Sequence, residues 1–104
     1  MNVRLIVPNC NRNTSPIVAY GKTIADIAGG FTATQATGAW RDNQGVLVVE
    51  PVTVFDCSCN DRTVADYPTL AETDFQFLAS RIARELRQDC VCLAINGIVQ
   101  FVKP

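Results

Sequence analysis

Glu50 is out of keeping with its neighbours. Val46, Val48, Glu50, Val52 and Val54 alternate along one β-prone run and so share a strand face, on which every residue but the glutamate is a branched hydrophobe. A carboxylate on such a face calls for a cation: a ligand, an arginine of the same chain, or a neighbouring subunit. The plainer reading is a charge that, beside Pro51, guards a sheet edge. A second group is the Thr-rich run ending in Gly38-Ala39-Trp40, preceded by Gly29-Gly30. Glycines let backbone amides approach a ligand, with threonine hydroxyls such as Thr32 and the Trp40 indole beside it. The plainer reading here is a helix-ending glycine and a core tryptophan. Gln88-Asp89 follows a helix and precedes an apolar strand, where turn chemistry also accounts for it. Arg81, Arg84, Glu85 and Arg87 read as an exposed helix face, with Arg81 and Glu85 paired at i, i+4 and no role in chemistry.

The composition removes several mechanisms. The 104 residues contain no histidine, so His-based zinc ligation, Ser-His and Cys-His nucleophile pairs and a neutral-pH proton shuttle are all absent. Five cysteines, at 10, 57, 59, 90 and 92, form two Cys-x-Cys pairs and a single. One intervening residue is shorter than the usual zinc-ligand spacing, and i, i+2 positions on a strand share a face, so buried structural thiols are expected in place of a metal site. Nine Lys+Arg against ten Asp+Glu leave a charge of −1, without the basic face that nucleic-acid binding requires. No apolar run approaches the roughly 20 residues that span a bilayer. The opening Met1-Asn2-Val3-Arg4-Leu5-Ile6-Val7-Pro8 lacks a signal-peptide h-region and cleavage site, and a soluble cytoplasmic protein of a single domain is expected.

The elements that must position these residues follow from periodicity. Residues 3–7 form a strand stopped by Pro8. Ser15-Pro16 opens an amphipathic helix that runs through Ile17, Tyr20, Ile24 and Ile27 to a stop at Gly29-Gly30. Residues 31–40 and 46–55 read as a hairpin across the turn Arg41-Asp42-Asn43-Gln44-Gly45, with Gly38 marking a bulge, bend or ligand approach. Pro51 cannot donate to a ladder, which predicts a bulge or a local edge there. Residues 58–73 are a polar surface loop of the length often given to function. Thr73 and Gln76 make a capping box for a second helix carrying Phe75, Leu78, Ala79, Ile82, Ala83 and Leu86. Residues 90–95 and 98–102 form a closing hairpin across Asn96-Gly97. The order βαββαββ describes an α+β ferredoxin-like sandwich, an antiparallel sheet with two helices on one face and an added C-terminal strand.

Several of these segments together resemble a known family. The Gly-Phe-x-Ala strand reaching Gly38-Ala39-Trp40-Arg41, the strand Glu50-Pro51-Val52-Thr53-Val54-Phe55-Asp56-Cys57, and Arg87-Gln88-Asp89-Cys90-Val91 are similar to the phage-encoded S-adenosylmethionine lyases, formerly described as hydrolases. The glutamate stands seven residues before the cysteine, as in that family, while Trp40 stands where members tend to carry tyrosine. The resemblance implies a ferredoxin-like homotrimer with sites between subunits, acting in the host bacterial cytoplasm. It also implies cleavage of S-adenosylmethionine, or a conjugate of it, to 5′-methylthioadenosine and homoserine lactone without metal or cofactor. Glu50 would then be catalytic, and Thr32, Trp40 and Gln88 would bind substrate. The same Gly-Gly, Gly-x-Trp and strand-Glu arrangement also resembles trimeric PII-like modules, whose function would be non-catalytic binding of an adenine nucleotide or related metabolite.

Overall fold

The computed structural model describes residues 1–10, 13–59 and 68–104, with the side chains of 68–70 left aside. The elements run β1 (Asn2–Pro8), α1 (Pro16–Ala28), β2 (Thr32–Arg41), β3 (Leu47–Ser58), α2 (Pro68–Glu85), β4 (Val91–Ile95) and β5 (Ile98–Val102). The strands form one antiparallel sheet in the order β2-β3-β1-β4-β5. This is the expected ferredoxin-like α+β sandwich, with β5 added at the β4 edge.

The pleat divides the strand residues into two sets. Leu5 pairs with Phe55 and with Leu93, and these join Val3, Val7, Cys57, Val91 and Ile95 in the core beneath Tyr20 and Ile24 of α1 and Phe75, Leu78 and Ile82 of α2. Both helices therefore cover one face. Glu50, Val52, Val54, Ile6, Cys92 and Phe101 belong to the alternate set and lie on the face that carries no helix. Thr53, on the helix side and fully buried, donates to Asn9 Oδ1 at 2.7 Å, and Asn9 Nδ2 donates to Gln35 Oε1 at 2.7 Å.

Local signals explain the element ends. Ser15 accepts from the Val18 amide at 3.3 Å, Pro16 opens α1, and Gly29 closes it at φ 88° with its N–H on Ala25 O. Asn96 and Gly97 both have positive φ, as a type I′ turn requires. Arg81 Nε meets Glu85 Oε1 at 2.7 Å, the expected i, i+4 pair.

Three expectations are corrected. The second helix begins at Pro68, so Thr73 lies inside it and the capping box does not start it. A proline at the first helical position supplies the earlier start, because its missing N–H is one the first turn leaves unbonded anyway. Most of the expected loop at 58–73 either belongs to β3 and α2 or lies outside the described residues. Gly38 marks no bulge, because the β2–β3 register runs unbroken from Thr32↔Asp56 to Arg41↔Leu47. A Cβ at Gly38 would sit 3.0 Å from Val52 Cγ1, so close packing accounts for the glycine. Pro51 likewise sits without a bulge, at a local edge. β1 ends opposite Val52 at Pro8, and beyond it the Asn9 N–H reaches Pro51 O, at 2.9 Å. Among the described residues, no helix is long and apolar enough to cross a membrane.

Candidate functional site

The end of β1 creates the site. β2 and β3 continue as a two-stranded ribbon past Pro8, while β4 starts with Val91 on the other side of β1. The space between them on the helix-free face is a concavity of about 370 Å³. From the ribbon come Gly38, Trp40, Glu50 and Val52; from the α2–β4 connection come Arg87, Gln88, Asp89 and Cys90; Ile6 and Pro8 form its floor, and Phe101 a wall. Glu50, Trp40 and Gln88, three of the residues singled out in the sequence, are thus brought together.

Glu50 is half-buried among Val52, Pro8 and Trp40, and loss of hydration pushes its carboxyl above the usual carboxylate range. Among the described residues, neither Glu50, Arg87 nor Asp89 has an ion pair or side-chain hydrogen bond. A concavity that holds unneutralised charges of both signs against apolar walls is equipped to bind a polar, charged molecule. Trp40, 42% exposed, lends its ring to this space instead of to the core. Gln88 Nε2 donates to Leu86 O at 3.2 Å, which holds the side chain at the rim and leaves its amide oxygen as an acceptor.

Thr32 is not part of this arrangement. It lies at the far end of β2, eight residues from Trp40, which corresponds to about 26 Å of extended strand. There it lines a larger concavity, about 750 Å³, with Gly29, Gly30, Arg4 and Asp56. The charges in that concavity satisfy each other, Arg4 Nε lying 2.8 Å from Asp56 Oδ1. The smaller concavity is the better candidate, since its charges remain free for a ligand. Gly29-Gly30 and Gly38-Trp40, grouped by the sequence around one ligand, serve opposite ends of the sheet because a strand separates them.

The cysteines, expected as buried structural thiols, divide: Cys57 and Cys59 are buried, Cys92 is half-buried, and Cys10 and Cys90 are exposed. Burial pushes the Cys57 thiol up to about 12, far from a nucleophilic thiolate. Among the described residues, no three of His, Cys, Asp and Glu gather closely enough to hold a metal ion.

Sequence reading missed Arg87, Asp89 and Phe101 as site residues. Arg87 was read as part of an exposed helix face; it is exposed, but it lies two residues beyond the end of α2 at Glu85 and lines the concavity. The signal was the missing glycine: nothing glycine-like follows Leu86, so a side chain had to occupy the left-handed position that closes the helix.

Solved structures with this arrangement of elements exist. The chain is similar in fold to phage SAM lyase. Its complex with S-methyl-5′-thioadenosine matches with a TM-score of 0.62 at 15% identity, over 99% of this chain and 88% of that one. Its apo state matches with a TM-score of 0.57 at 16% identity over the same shares. No family model matches the chain, and no curated protein matches it in sequence.

Proposed function

We propose that the protein is an S-adenosylmethionine lyase that forms 5′-methylthioadenosine and homoserine lactone at the concavity between the β2–β3 ribbon and the α2–β4 connection. The observation that carries this reading is the unpartnered, half-buried Glu50 beside Trp40. The likeness of fold to a SAM lyase over nearly the whole chain supports it.

The chemistry fits the residues. The substrate's own carboxylate oxygen attacks the γ-carbon, the C–S bond breaks, and its electron pair neutralises the sulfonium as the thioether leaves. No proton moves, so neither histidine nor a protein nucleophile is needed. Carboxylate and sulfonium charges vanish together in this step, and a poorly solvating site favours a transition state less charged than the substrate. Ile6, Pro8, Val52 and Phe101 supply such walls. A carboxylate beside the sulfonium would stabilise the ground state and slow cleavage. Glu50 therefore takes the ammonium, whose charge is unchanged, and folds the amino-acid chain back toward the near-attack geometry. Trp40 stacks on the adenine and Gln88 orients polar groups at the rim. Thr32, about 26 Å of strand away, is beyond reach of the same bound molecule within one subunit.

The helix-free face also carries Val99, Trp40 and Phe101 in exposed positions, at 54%, 42% and 68%. An apolar face of this kind favours cover by further copies. The working form in this reading is a homotrimer with the site near the covered face. Light scattering is expected to give a mass about three times 11.3 kDa; a mass near 11.3 kDa at working concentration would remove the trimer.

Incubation of the purified protein with S-adenosylmethionine and chelator, followed by chromatography and mass spectrometry, tests the activity. Methylthioadenosine with homoserine lactone, well above the spontaneous background, is the expected result. Intact substrate that nevertheless raises the Tm would sink the lyase and leave a non-catalytic binding module.

A further inference from the structure

We infer that Arg87 is the subsite for the substrate's α-carboxylate, so that the site selects molecules with a free amino-acid end; this rests on the lyase reading and deepens it.

The backbone first singles out Arg87. α2 closes with the Gln88 N–H on Ala83 O at 2.8 Å and the Arg87 N–H toward Arg84 O at 3.3 Å, the paired bonds of a Schellman ending. In that ending the residue after the last helical turn is left-handed and usually glycine. Here it is Arg87, at φ 54°. A side chain at this position is disfavoured relative to glycine and is held there by the paired bonds that close the helix.

The surroundings point to a use for it. Arg87 lines the same concavity as Glu50 and Asp89, yet forms no ion pair with either. The concavity thus presents two carboxylates and one guanidinium. S-adenosylmethionine carries an ammonium, which Glu50 takes, and one carboxylate, for which the lining offers the guanidinium of Arg87. A phosphate-bearing ligand would meet a net negative site instead. The guanidinium fork suits a carboxylate, and an end-on hold through one oxygen leaves the other for attack. Because the carboxylate loses its charge as the lactone forms, this contact favours bound substrate over the transition state. Arg87 consequently tightens substrate binding at some cost in kcat, so its loss raises KM and leaves kcat unchanged or higher.

The test compares wild type with Arg87→Gly and Arg87→Lys. Glycine fits the left-handed position, so Arg87→Gly is expected to keep a Tm at or above wild type. Its KM for S-adenosylmethionine should rise about tenfold or more, with kcat at or above that of wild type. Affinity for S-methyl-5′-thioadenosine, which has no amino-acid end, should be unchanged, and Arg87→Lys should recover part of the loss. Wild type should bind decarboxylated S-adenosylmethionine weakly, and Arg87→Gly should no longer tell it from the parent. An unchanged KM in Arg87→Gly, or an equal loss of thioadenosine affinity, overturns the subsite while the lyase stands. A wild type that neither binds nor cleaves S-adenosylmethionine overturns both.

Discussion

Replacing Glu50 by glutamine is expected to cut turnover of S-adenosylmethionine by about 100-fold or more while the protein stays folded, since a misplaced reacting chain costs that order of rate. Glutamine keeps the shape of the side chain beside Val52 and Pro8 and removes only its charge. Stability at neutral pH should not fall. Burial raises the folded-state pKa of Glu50, so the fold prefers the protonated acid. That preference stabilises the protein fully below the ordinary glutamate pKa and is lost as pH rises through the raised one. At neutral pH the carboxylate is therefore a cost that glutamine does not carry. The pH profile gives a second check: wild-type activity should climb as Glu50 ionises, through a pKa above the usual carboxylate range, whereas the residual rate of the variant should lack this limb. A folded Glu50→Gln protein with more than about a tenth of wild-type kcat/KM would take Glu50 out of the mechanism.

Phe55→Ala should have the largest effect on stability, about 3–5 kcal/mol. Phe55 is fully buried in β3 between β1 and β2, opposite Leu5 and Ala33, and meets the Phe31 ring edge-on at 5.2 Å between centroids. Alanine leaves a cavity that strands on both sides hold open, since β1 and β2 fix the backbone of β3 through their ladders. Set against the roughly 5–15 kcal/mol that stabilises a domain of this size, such a loss is large. Urea unfolding should show a markedly lower midpoint at little-changed slope. A loss below about 1 kcal/mol would mean that this ring is not packed as described.

Much of the fold was legible because its signals are local. Ser15-Pro16 and Gly29 bound α1, and Asn96-Gly97 carries the two positive φ angles of its turn. The alternation through Val52, Val54 and Glu50 separates one face of β3 from the other whatever that strand pairs with. The start of α2 was misplaced because Thr73-Gln76 and Pro68 are both good local openings, and the earlier one prevails. Glu50 was found as a residue out of keeping with its strand face, whereas Trp40 and Gln88 were joined to it as site residues through the family resemblance.

The sequence by itself determined the alternation of β3, both caps of α1 and the Asn96-Gly97 turn, since each depends on residues within a few positions of one another. The tertiary structure decided the site, because strand order is a long-range property: β1 ends at Pro8 while β2 and β3 run on, and that difference in length opens the concavity. It separated Thr32 from Trp40, which lie on one face but at opposite ends of a ten-residue strand. It also placed Arg87, an exposed residue just past the end of α2, in the lining of the same concavity as Glu50, a juxtaposition that only the packing of α2 and β4 against the sheet creates.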